Sequence, residues 1–208
     1  MSEVFDRLEQ QGVLPLLDLP DLESAAVVLA AFEDAGLSCV EVVLRAPGAL
    51  DVIVNAAARG MCVGAGTVLS GDAVRAAATA GASFAVSPGF DASTVKVAQA
   101  IGVPIIPGVA TPSEVIRARH LGVKTVKLFP VTPLGGPAMV RAMAAPFRDM
   151  RFVPTGGVRE EDVAEYLSIP EVLAVGGSWM APAELISDRQ VEDLRDCARR
   201  AAAIGRRR

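Results

Sequence analysis

Residues 122–136 read GVKTVKLFPVTPLGG, and the first half of that stretch decides the fold. Gly122 closes a stretch with helix-period apolar residues, TPSEVIRARHLG (111–122), and TVKLF (125–129) then runs β-branched and apolar up to Pro130 and a Gly-Gly turn. Glycine tolerates the left-handed conformation just past a helix end, so this reads as a helix, a stop and a short buried strand. The same unit recurs along the chain. Strands are expected at VLPLL (13–17), CVEVVL (39–44), MCVGAG (61–66), SFAVS (83–87), PIIPG (104–108), TVKLF (125–129), RFVPT (151–155) and VLAVGG (172–177). Helix starts are expected at Asp21, Ser70 and Thr111-Pro112, and stops at Gly36, Gly81, Gly102 and Gly122.

Strands alternating with helices imply a parallel sheet with helical crossovers. Eight such units predict an α/β protein of the (β/α)8 TIM-barrel type, one domain over residues 1–208, with EVFDRLEQQ (3–11) as a short N-terminal helix closing the barrel bottom. An open doubly wound sheet is the alternative. It calls for a Gly-rich phosphate fingerprint after the first strand, where this chain reads LDLPDLES.

Composition fits this reading. Half the chain is hydrophobic but only 4% aromatic, so the core is built from small aliphatic side chains, as parallel strands under helices require. A net charge of −4 argues against a nucleic-acid partner. The one basic run, RRAAAIGRRR (199–208), reads as a solvated last helical turn. Cys39, Cys62 and Cys197 lack CxxC spacing, and the first two fall in apolar runs as small hydrophobes. There is no basic region followed by an apolar leader and no apolar run of about 18 residues, so the expectation is a cytoplasmic protein without a membrane partner.

Strand side chains alternate, so Thr125, Lys127 and Phe129 share one face, and Val126 and Leu128 take the helix side. Lys127 then points into the barrel near its strand's C-terminal end, where barrel enzymes place their chemistry. In CVEVVLR (39–45) the same parity puts Glu41, Val43 and Arg45 inward. A buried Glu41–Lys127 pair that merely plugs the barrel is the bland reading, but such pairs are at best neutral for stability. Lysine usage sharpens the point: of 20 basic residues only Lys96, Lys124 and Lys127 are lysine. Arginine stays protonated, whereas a desolvated lysine can become an amine nucleophile. Lys96, on an expected helix, and Lys124, of opposite strand parity, read as solvated.

Gly-rich turns at PTGGV (154–158) and VGGSW (175–179) follow the seventh and eighth expected strands, where barrels hold phosphate on backbone N–H groups. Thr67 in GAGTVLS (64–70) reads either as a donor to a carboxylate or carbonyl or as a loop cap, and Pro88 in VSPGF (86–90) as a wall. The turn at 134–136 either closes over the pocket or starts the next helix. The single histidine, His120, reads as a surface residue near a helix end, and no metal site can be assembled around it.

EVVLR (41–45), VGAGTVL (63–69), AVSPGF (85–90), PGVATPSE (107–114), VKLFP (126–130), PTGGV (154–158) and VGGSWM (175–180), in order over residues 12–182, resemble the 2-keto-3-deoxy-6-phosphogluconate (KDPG) aldolase and 4-hydroxy-2-oxoglutarate (KHG) aldolase family. The resemblance implies a class I aldolase that needs no cofactor or metal, forms a homotrimer, and cleaves the phosphorylated sugar acid to pyruvate and glyceraldehyde 3-phosphate. It implies Lys127 as the Schiff-base lysine and Glu41 as general acid and base. Arg45 and Thr67 would hold the pyruvate carboxylate, Pro88 and Phe129 would line the pocket, and Thr155, Gly156, Gly157, Gly177 and Ser178 would take the phosphate. Asp18 stands where some members carry a basic residue, which leaves the galactonate epimer and the unphosphorylated hydroxy-oxoglutarate open as substrates. A phosphate-binding barrel isomerase or a non-catalytic scaffold are the competing functions.

Overall fold

A computed structural model describes residues 3–19, 21–188 and 190–206. Nine strand segments, all paired in parallel, form β1 (Val13–Leu17), β2 (Cys39–Val43), β3 (Cys62–Gly66), β4 (Phe84–Val86), β5 (Ile105–Ile106), β6 (Gly108–Val109), β7 (Thr125–Leu128), β8 (Arg151–Pro154) and β9 (Val175–Gly177). The helices are α1 (Glu3–Gln11), α2 (Leu22–Ala35), α3 (Ala49–Ala58), α4 (Gly71–Thr79), α5 (Ala92–Ala100), α6 (Pro112–His120), α7 (Gly136–Ala144), α8 (Val163–Leu167), α9 (Ala183–Ser187) and α10 (Val191–Gly205). The result is an α/β fold whose parallel sheet curls beneath its helices. Six strands run in the order β5-β4-β3-β2-β1-β9 and three in the order β6-β7-β8.

The expected strand over 104–108 is found as two segments, β5 and β6, and the reason is Pro107. Proline has no N–H to give to the ladder, so pairing is interrupted there. Its carbonyl still accepts from the Lys127 N–H at 2.9 Å, so the chain keeps company with β7 across the break. The last expected strand is also shortened to β9, with Val172 joined to Phe152 by an isolated bridge and Gly176 to Thr155 by another.

Local chemistry sets the helix ends where the sequence places them. The Asp21 carboxylate accepts from the Ser24 N–H, the Ser70 hydroxyl from the Ala73 N–H, and Thr111 with Glu114 makes a reciprocal capping box, each satisfying donors a helix start leaves free. Gly36, Gly81, Gly102 and Gly122 all take positive φ just past helix ends. In α10 the helix runs to Gly205 with Arg206 as its cap; Arg207 and Arg208 of the basic run lie outside the described residues.

Two apolar layers result. Val40, Val42, Val126 and Leu128 pack outward with the helices, as parity requires. Cys39, Cys62, Phe84, Ile106, Val153 and Leu173 form an inner cluster that Leu8 of α1 joins from below. Gln11 fastens that plug: its amide donates to the Val13 and Cys39 carbonyls at 2.9 and 2.7 Å and accepts from the Ser38 and Cys39 N–H groups at 2.7 and 2.9 Å. All four partners of this buried amide are met, so it sits in the core without a desolvation penalty left open. Among the described residues, no helix is long and apolar enough to cross a membrane.

Candidate active site

Above the inner apolar layer the sheet carries two charges. Lys127 on β7 places Nζ 3.3 Å from Glu41 Oε1 on β2, and the two side chains are only 6% and 1% exposed. They are 86 residues apart in sequence, so the fold alone brings them together. Two glycines of β3 make the room. A Cβ on Gly66 would lie 2.7 Å from Glu41 Cγ and closer still to Oε1, and a Cβ on Gly64 would strike the Phe84 ring. The alternation Cys62, Gly64, Gly66 on the inward face therefore grades the interior from apolar filling at the bottom to an open berth for the carboxylate at the top.

Phe129 roofs the lysine, with Nζ 5.3 Å from its ring centroid, inside cation–π range. That ring also meets the next loop: a Cβ on Gly156 would lie 3.0 Å from it. The 131–136 loop is stitched to the same place. Val131 N–H donates to the Thr155 carbonyl at 2.8 Å and Thr132 N–H to the Gly156 carbonyl at 3.0 Å, while Gly135 and Gly136, both at positive φ, turn the chain into α7. The Gly-Gly pair at 135–136 thus starts a helix, and the residues before it brace the Gly156 turn. Tyr166 completes the brace, its buried hydroxyl bonded to Thr132 and its pKa pushed up by burial.

A cleft of about 580 Å³ opens at the strand ends, lined by Asp18, Arg45, Phe129, Thr155, Gly156, Gly157, Gly177 and Ser178 together with Trp179 and the start of α9. Gly156 and Gly157 take φ of +98° and +79°, which a side chain would resist. The Trp179 indole N–H, buried in this wall, has no hydrogen-bond partner among the described residues.

Three expected placements differ. Arg45 does not join Glu41 and Lys127 in the interior. β2 ends at Val43, the chain turns at Leu44, and Arg45 swings to the rim, where it pairs with Asp18 at 2.7 Å with both side chains largely exposed. Pro88 lines a neighbouring hollow of about 390 Å³ with Ser87, Phe90, Asp91 and Glu114 rather than this cleft. Thr67 is not among the cleft-lining residues either, nor are the buried Lys127 and Glu41, which reach it only through the Phe129 ring. Thr67 is, however, the one non-glycine residue with positive φ among those described, at +58°. For a β-branched residue that is a real outlier, costing about 1–3 kcal/mol, and such strain concentrates at functional sites. His120 ends α6 at the surface, and Lys96 and Lys124 are exposed. Among the described residues no group of three histidine, cysteine or acidic side chains could hold a metal.

Several parts of the site were not singled out from sequence: Gly64, Gly66, Thr132, Tyr166 and Trp179. The signal for the first two was GAG inside a strand, since a glycine in a strand interior marks close approach by something else.

A curled parallel sheet that buries an amine against a carboxylate, beside the Phe129 ring that lines an open cleft, fits an α/β enzyme, and comparison with known proteins narrows that class. A family model described as the KDPG and KHG aldolase family matches residues 4–197, and the chain belongs to that family. A relative from Treponema pallidum named 2-dehydro-3-deoxy-phosphogluconate aldolase is 44% identical, covering 90% of both chains. The crystal structure of the KDPG aldolase of Zymomonas mobilis with 3-phosphoglycerate is 36% identical, covers 97% of this chain and 96% of that one, and has a TM-score of 0.92. The Legionella pneumophila KDPG aldolase, with pyruvate captured as a covalent carbinolamine, is 31% identical, covers 95% and 97%, and has a TM-score of 0.90.

Proposed function

We propose that this chain is a class I aldolase that cleaves 2-keto-3-deoxy-6-phosphogluconate reversibly to pyruvate and glyceraldehyde 3-phosphate, and 4-hydroxy-2-oxoglutarate to pyruvate and glyoxylate. The observation that carries it is the buried Lys127–Glu41 pair at 3.3 Å, with Lys127 against the Phe129 ring that lines a cleft of about 580 Å³. A buried ion pair contributes little net stability, so its cost is better explained by chemistry.

In this reading Lys127 passes a proton to Glu41, the freed amine attacks the C2 ketone, and the carbinolamine loses water as Glu41 returns that proton. Glu41, directly or through a water, then takes the C4 hydroxyl proton as the C3–C4 bond breaks. The bond electrons flow to the protonated imine, leaving an enamine at C3; reprotonation of C3 and hydrolysis release pyruvate and return the amine. Arg45 holds the carboxylate with Thr67, Phe129 shapes the approach, and Thr155, Gly156, Gly157, Gly177 and Ser178 receive the phosphate on backbone N–H groups and a hydroxyl. Arg45 reaches the carboxylate by exchanging its exposed bond to Asp18 for one to substrate.

The one-domain scaffold is read as a closed (β/α)8 barrel. Pro107 alone separates β5 from β6, and the bridges at Phe152–Val172 and Thr155–Gly176 run between β8 and the segment ending in β9. A cytoplasmic homotrimer without cofactor or metal completes the reading.

Its test is pyruvate release from the two substrates, followed with wild type and Lys127→Met, with and without chelator. Turnover by wild type that chelator leaves unchanged, lost in the variant, is expected; equal turnover by the variant refutes the reading.

A further inference from the structure

Asp18 enters the cleft with no part in the mechanism above. Its carboxylate is held 2.7 Å from Arg45 and is 47% exposed toward the opening. Position decides what it can read. In the sheet β1 lies between β2 and β9, so the residue following β1 stands between the rim arginine after β2 and the Gly177–Ser178 turn after β9. A substrate with its carboxylate on Arg45 and its far end on the glycine turns must carry its middle carbons past Asp18. A carboxylate there accepts hydrogen bonds and donates none, and Glu184 adds a second negative charge to the same wall.

We propose that Asp18 is a specificity-determining residue. It accepts the hydroxyl hydrogens on the middle carbons of a polyhydroxy 2-keto acid and disfavours a short diacid, whose second carboxylate would face Asp18 and Glu184. The proposal rests on the aldolase reading above. It differs from a role in which Asp18 only props Arg45, because both substrates share the pyruvate carboxylate that Arg45 would hold. Propping affects the two alike. Reading the middle of the chain affects them in opposite directions.

The experiment compares kcat/KM for 2-keto-3-deoxy-6-phosphogluconate and for 4-hydroxy-2-oxoglutarate in wild type, Asp18→Ala and Asp18→Asn. Asp18→Ala is expected to lower the preference for the sugar acid about tenfold, as loss of a hydrogen bond to a charged group does. Asp18→Asn, which removes the charge and keeps the shape, is expected to raise kcat/KM for the diacid several-fold by lifting the repulsion. Borohydride trapping of pyruvate in each variant shows that the site remains assembled. An active wild type whose preference is unchanged in both variants, or whose variants lose both substrates by one common factor, overturns the proposal alone. A wild type inactive on both substrates and untrapped by pyruvate overturns the aldolase reading and this proposal with it.

Discussion

Gly66→Ala tests how the Glu41 carboxylate is seated. The new Cβ would sit 2.7 Å from Glu41 Cγ and 2.9 Å from Cδ, against an ordinary contact limit of 3.4 Å. Cγ must retreat by roughly 0.7 Å and Oε1, which is closer, by about an ångström, and a displacement of that size at reacting groups costs on the order of 100-fold in rate. That is about 2.7 kcal/mol of transition-state stabilisation. The strand cannot absorb the shift freely, because β3 is paired on both sides, with β2 and β4. Overpacking should also lower stability by about 1–3 kcal/mol. Gly64→Ala is the comparison: Gly64 is paired with Glu41 across the sheet, but its Cβ would meet the Phe84 ring, at 2.8 Å from Cδ2, rather than the carboxylate. Urea unfolding and retro-aldol kinetics on both variants separate the effects. Both should lose stability, and only Gly66→Ala should lose about 100-fold in kcat/KM. A folded Gly66→Ala enzyme with wild-type kcat/KM would refute the idea that Gly66 makes the berth for Glu41.

Glu41→Gln should still form the pyruvate adduct, slowly, while losing about 10²–10⁴ in C–C cleavage, read by comparing borohydride trapping with turnover. Gly157→Ala forces a side chain into φ +79° against Thr132. It should raise KM for the phosphorylated substrate about tenfold and leave half-saturation by pyruvate alone unchanged, if that turn holds the phosphate. Asp91, the cap of α5, has its carboxyl held down to about 2, first by the Ser93 hydroxyl and then by Thr94. A depressed carboxylate stabilises the fold above its unfolded value of about 4, and that contribution fades as pH falls through about 2. The Tm deficit of Asp91→Ala should therefore be present at neutral pH and shrink on acidification, as thermal melts across pH can show.

Much of this was legible along the chain because local chemistry and global fold agree. The left-handed glycines end helices, the Asp21, Ser70 and Thr111 caps start them, and parity alone turned Glu41 and Lys127 inward. Parity failed for Arg45, because it holds only while the strand continues and β2 stops two residues earlier. It could not divide 104–108 into two segments either, since that depends on Pro107 lacking an N–H within a ladder whose register is a tertiary property. The Asp18–Arg45 pair joins residues 27 apart, and the brace of Thr132 and Tyr166 on the Gly156 turn joins three separate loops and helices; neither leaves a periodic trace.

The most direct measurement is to incubate the protein with pyruvate, reduce with borohydride, digest, and locate the added mass. The expected result is one pyruvyl adduct per chain, on the peptide containing Lys127, and none on Lys96 or Lys124. An adduct on either of those lysines, or no adduct while the enzyme still releases pyruvate from its substrate, would contradict the assignment of Lys127 as the amine nucleophile.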